Sequence, residues 1–128
     1  FYQLNLKKNH NLISEKYILA GIYLSSGEKE KSKKLFEEII SSNNKFYTSL
    51  ALYSILEKNL EDDKQKILMH FDNAEKSVKS KEQKDLLSFK KALFLLKAND
   101  PDEAKKLLEN LIRSESIIKS LAQEILIK

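Results

Sequence analysis

His10 and His70 are the chain's two imidazoles. A helical metal site would need a second ligand one turn away from either. His10 has none at i+3 or i+4, and His70 has only Asp72 and Asn73 close by. Both read as solvent-facing or helix-terminal side chains. Ser25-Ser26 and Ser41-Ser42 fall at helix breaks, without the strand-turn-helix context of a nucleophile elbow. Glu37-Glu38 and Glu61-Asp62-Asp63 could pair carboxylates for acid-base work. Helix faces and first turns explain them without chemistry. The chain has no glycine-rich phosphate loop. It also has no cysteine, which excludes disulfides and thiolate metal sites. The expectation is a protein that is not an enzyme and needs no cofactor or metal.

Lysines form two clusters, Lys29/Lys31/Lys33/Lys34 and Lys76/Lys79/Lys81/Lys84. Nucleic-acid readers favour arginine, whose planar fork matches phosphate and guanine. Arg113 is the one arginine of the chain, and Glu28, Glu30, Glu37, Glu38, Glu75 and Glu82 interleave with the lysines. Solvated helix faces explain the pattern, and no nucleic-acid partner is expected. The net charge of +4 is too mild to argue otherwise. Attraction to anionic lipid headgroups stays open.

The elements that would position these residues recur. Apolar pairs Phe1/Leu4, Phe36/Ile39, Phe71/Ala74 and Leu108/Leu111 are spaced 35, 35 and 37 residues apart. A period in this range marks stacked helical hairpins that cannot bury their own faces alone. A second comb interlocks with it: Ala20, Ala51, Ala92 and Ala122, small residues where helices cross closely. Counting 7, 12, 16 and 19 residues from Ala20 gives Gly27, Ser32, Phe36 and Ile39. The same counts from Ala92 give Asn99, Ala104, Leu108 and Leu111, a constant offset of 72. In the middle unit the step from Ala51 to Phe71 is 20 residues, not 16, so its internal loop is longer, and bulky Ile67 takes the small site.

Length and composition fit one domain over 1–128. Two glycines and one proline leave little punctuation for a many-turned β fold. No apolar run reaches the 18 or so residues of a membrane span. A start at Phe1, not Met, inside a unit reads as a fragment or processed form, which leaves room for an upstream anchor or signal.

Local signals place the helices. Residues 1–8 read as the tail of a preceding helix. Repeat 1 covers 13–42, with helices over 13–26 and 29–42 joined at Gly27. Repeat 2 covers 45–79, with helices over 45–58 and 63–79. Repeat 3 covers 81–113, opened by the capping box Ser80-Lys81-Glu82-Gln83 and divided by Asp100-Pro101, cap and first helical position. A terminal capping helix spans 116–127.

The template of Ala20, Gly27, Ser32 and Phe36 resembles the tetratricopeptide (TPR) helix-turn-helix pattern. That resemblance implies an all-α, right-handed TPR-like solenoid of about seven antiparallel helices. It also implies a concave groove lined by the first helix of each unit. Carried over, the groove positions are Tyr17, Gly21 and Leu24; Thr48, Leu52 and Ile55; and Phe89, Leu93 and Leu96. Tyr17 and Gly21 stand where chaperone-tail-binding members carry Lys and Asn, so an acidic C-terminal tail is not the expected ligand.

Three stretches are similar to the soluble domain of the ancillary Sec-translocon subunit (YfgM-like) family: YILAGIYLSSGEKEKSKKLF (17–36), the irregular middle from Tyr47 to Asn59, and Phe89 to Leu126, containing KKALFLLKANDPDEAKKLLENLI. Members place this domain on the periplasmic face of the inner membrane behind an N-terminal anchor, near translocon components and periplasmic chaperones. The implied function is a non-catalytic, membrane-associated scaffold for protein binding. Tyr17, Leu52, Phe89 and Leu93 would line the partner groove, with Lys90 and Lys97 at its edge. The alternatives are a structural or self-assembling helical repeat that forms homo-oligomers, and a cytoplasmic TPR adaptor.

Overall fold

The computed structural model describes residues 2–128, with side chains from Leu12 onward. The pair Phe1/Leu4 and the imidazole of His10 lie outside the described side chains. Among the described residues seven α-helices follow one another: α1 (Tyr2–Ser25), α2 (Lys29–Ser41), α3 (Tyr47–Glu57), α4 (Lys64–Ser77), α5 (Lys81–Lys97), α6 (Pro101–Arg113) and α7 (Lys119–Ile127). No strand occurs among the described residues. The fold is all-α. Packing divides the chain into two compact units, Phe1–Val78 and Lys79–Lys128, where the sequence suggests one domain.

In the first unit α1 and α2 form an antiparallel hairpin. Ser32 Oγ donates to the Ala20 carbonyl at 2.8 Å, and the rings of Tyr17 and Phe36 meet edge to face at 5.9 Å. Rising numbers on α1 thus meet falling numbers on α2. Ala20 and Ser32 are fully buried. Their small size lets the two backbones approach. α3 packs on α2 and α1, and α4 on α3 and α2. Phe36, Ile39, Ile40, Ala51, Leu52, Ile55, Phe71 and Ala74 fill the interior. In the second unit α6 packs between α5 and α7, and Leu87, Ala92, Leu95, Ala104, Leu108, Leu111 and Ala122 are buried. The ten comb residues beyond Phe1/Leu4 (Ala20, Phe36, Ile39, Ala51, Phe71, Ala74, Ala92, Leu108, Leu111, Ala122) and Ala104, which the offset of 72 pairs with Ser32, are at most 3% exposed.

The offset of 72 reappears in the backbone. Gly27 and Asn99 both take left-handed φ, 80° and 64°. Around them Glu28 N–H bonds the Tyr23 carbonyl, and Asp100 N–H bonds that of Leu95. Both are the six-to-one closure that ends a helix on a left-handed residue. Asn43 and Glu115, again 72 apart, share φ 55° at the α2–α3 and α6–α7 junctions. Asn59 (φ 52°) closes α3 in the same way, with Leu60 N–H on the Ile55 carbonyl. Six residues, 58–63, join α3 to α4, against three each at 26–28 and 98–100. The longer middle loop is therefore real.

Several local expectations need correction. Residues 2–8 are not the tail of a separate helix but the start of α1, because neither Gly nor Pro interrupts the chain before Gly21. Asp63 caps α4 by accepting from the N–H of Gln65 at 2.9 Å, and Ser80 caps α5 by accepting from Gln83 N–H at 3.2 Å. Asp100 occupies the corresponding position of α6 but makes no side-chain cap bond, so Pro101 and the acids of the first turn mark that start without it. α7 begins at Lys119, not 116, because Glu115 is left-handed and Ser116 Oγ turns back to accept from Ile118 N–H.

Candidate functional site

On α5 a step of 100° per residue separates two faces. Leu87, Ala92 and Leu95 point to the core. Leu86, Phe89, Leu93 and Leu96 follow one another at i, i+3, i+7 and i+10 on the opposite side. Leu86, Leu93 and Leu96 are 38–39% exposed and Phe89 is half-buried. Lys90 (half-buried) and Lys97 (exposed) flank this stripe along one edge. Four of the expected site residues, Phe89, Leu93, Lys90 and Lys97, thus belong to one apolar, lysine-edged helix face.

The other two do not join it as a surface. Leu52 is fully buried, as are Thr48 and, to within 1%, Ile55. α3 packs on α1, α2 and α4, so its expected groove positions are core. Tyr17 is half-buried in an aromatic cluster, 5.9 Å from Phe36 and 5.3 Å from Tyr47, with Phe46 stacked edge-on to Tyr47 at 4.8 Å. Its ring ties α1 to α2 and to the start of α3. Leu12, Ile18, Leu19 and Ile22 form a second exposed apolar face, on α1.

A charged cluster escaped the reading of single motifs. Glu61, in the α3–α4 loop, has a side chain only 6% exposed. Lys33 of α2 reaches within 3.0 Å of its Oε1, Lys66 of α4 within 4.0 Å, and the Asp63 N–H donates to Oε2 at 2.9 Å. Lys33 and Glu61 thus form a mostly buried ion pair, with side chains 18% and 6% exposed. Burial pushes the Glu61 carboxyl up, but the Asp63 N–H and Lys33 outweigh it and hold it below the usual carboxylate range. Lys33 is therefore no member of a solvated face. Next to it His70 Nε2 is enclosed without a hydrogen-bond partner, 3.9 Å from Glu37 Oε2. The partners lie 28 and 33 residues apart in sequence, and no local spacing announces them.

Among the described residues no group of His, Asp and Glu gathers to hold a metal ion, and no helix is long and apolar enough to cross a membrane. No protein family, curated protein or solved structure matches this chain.

Proposed function

We propose that the chain is a non-catalytic protein-interaction module, the soluble part of a membrane-anchored, TPR-like scaffold that meets translocation or periplasmic chaperone components. The observation that carries it is the α5 face: Leu86, Leu93 and Leu96 at the surface around Phe89, edged by Lys90 and Lys97. An apolar strip with an aromatic centre is the usual energetic core of a protein contact, while flanking charges set orientation and on-rate. The likeness of 17–36, 47–59 and 89–126 to the ancillary translocon subunits supports the choice of partner class. The test is site-specific photo-crosslinking from position 93 in the full-length protein in native membranes. Capture of a translocon or chaperone component supports the reading, and crosslinks confined to other copies of the chain defeat it.

A second reading is favoured by the α1 face, where Leu12 is 47%, Ile18 60% and Ile22 54% exposed. Such a face suits self-association of the repeat module. Sedimentation velocity decides it: Ile18→Glu with Ile22→Glu should convert an oligomer to monomer.

A further inference from the structure

The side chains of α2, the α3–α4 loop and α4 meet in one charged cluster, and its histidine has no assigned role. We propose that His70 is an acid-sensitive latch on the packing of α4 against α2, released when its imidazole takes up a proton. The inference does not depend on the interaction reading above.

With His70 neutral the cluster is balanced: Lys33 and Lys66 stand against Glu37 and Glu61. The imidazole is 13% exposed, and its Nε2 is sealed from water without a hydrogen-bond partner. A proton there adds a fifth charge to a site with little access to water. Glu37 attracts it, but from 3.9 Å, beyond hydrogen-bond reach, and its own carboxylate is 32% exposed. Glu61 also attracts, yet Lys33 already occupies it at 3.0 Å. Lys66 and Lys33 repel. Desolvation is the largest of these effects, and it holds His70 below its ordinary value of 6.5.

The folded unit favours the neutral ring, so this stabilisation is fully present above the unfolded-state value near 6.5. It is lost as pH falls from there through the lower folded-state value. The carboxylates of Glu61 and Asp85, whose values are lowered, begin to lose theirs only below 4.5 and 3.8. The two windows are separable.

The experiment compares the thermal midpoint of the whole chain and of His70→Gln at about pH 7.5 and about pH 5.5. The glutamine keeps a polar side chain that does not titrate. Wild type should lose several degrees on acidification, and His70→Gln less than half as much. Glu37→Gln should enlarge the loss, because it removes the main attraction for the proton. Hydrogen exchange at mildly acidic pH should accelerate in α4 before α1. A proton NMR titration of His70 in the wild-type chain decides even if a variant fails to fold. An imidazole titrating at or above 6.5, or equal acid losses in wild type and His70→Gln, would overturn the latch.

Discussion

The hydroxyl of Ser32 donates to the main-chain carbonyl of Ala20 across the α1–α2 crossing, at 2.8 Å and with both residues fully buried. Two requirements meet there. The helices approach closely only because both side chains are small, and the buried hydroxyl needs an acceptor. Ser32→Ala should cost about 1 kcal/mol, the net worth of one neutral hydrogen bond, since no orphaned donor remains. Ala20→Leu forces the crossing apart and should cost about 1–3 kcal/mol or more. Urea unfolding followed by circular dichroism measures both. Equal costs would mean that the crossing is looser than the bond suggests.

Phe71 is the largest fully buried side chain among the described residues of the first unit. It stands where the apolar comb places it, 35 residues after Phe36. Truncating a buried aromatic ring removes its transfer free energy and leaves a cavity, so Phe71→Ala should cost about 3–5 kcal/mol. A loss under about 1 kcal/mol would mean that the site collapses around the missing ring.

These two sites show what the sequence could reveal. Periodicity and small-residue recurrence are core properties, because a position buried between packed helices without a polar partner must be apolar or small whatever its neighbour is. Ala20, Ala92, Ala104 and Phe71 were therefore legible. Helix ends were legible where a turn former or cap acts on its own neighbours, as at Gly27 and Ser80. Leu52 was not, because an apolar residue on a helix reads the same in a groove as in a core. Which it is depends on how many helices surround α3. Lys33, Glu61 and His70 were not legible either, since charges on three separate elements carry no shared local spacing.

Lys33 and Glu61 test how a mostly buried ion pair contributes, their side chains being 18% and 6% exposed. Lys33→Met leaves the Glu61 carboxylate enclosed with weaker compensation and should cost about 1–3 kcal/mol. Adding Glu61→Leu removes the stranded charge and should recover most of that loss. Glu61 is held below the usual carboxylate range, so its contribution is present above 4.5 and disappears as pH falls through the lower folded-state value. The Lys33→Met variant should lose stability less steeply than wild type in that acid window. Chemical denaturation at several acid pH values checks the difference.

On α5, Phe89 is half-buried at the centre of an exposed leucine strip, which separates its expected effect on binding from that on folding. Phe89→Ala should weaken the crosslinked partner by about 2 kcal/mol or more while the far-ultraviolet dichroism is unchanged. Lys29→Glu with Lys31→Glu, both exposed on α2, should do much less. Leu52→Ala should act through stability alone. Binding abolished by the lysine changes and untouched by Phe89→Ala would move the contact from α5 to α2.

Glu115 holds left-handed backbone, φ 55°, at the α6–α7 junction, 72 residues after Asn43 in the same conformation. For an L-residue with a long side chain that region costs about 1–2 kcal/mol, and asparagine visits it more readily. Glu115 has little to offset the cost. Its ion pair with Lys119, at 3.1 Å, is 76% exposed on the glutamate side, where such pairs contribute at most about 0–1 kcal/mol. Glu115→Asn should therefore stabilise the second unit by about 0.5 kcal/mol, and Glu115→Gly by up to about 1 kcal/mol, net of the greater freedom glycine has in the unfolded chain. The reciprocal change, Asn43→Glu, should destabilise the first unit, also because the Asn44 turn beside it, whose Oδ1 accepts from Tyr47 N–H at 2.8 Å, depends on the same backbone path. Calorimetric midpoints of the three variants give the order directly. A destabilised Glu115→Asn would show that the Lys119 pair, not the backbone, governs this junction.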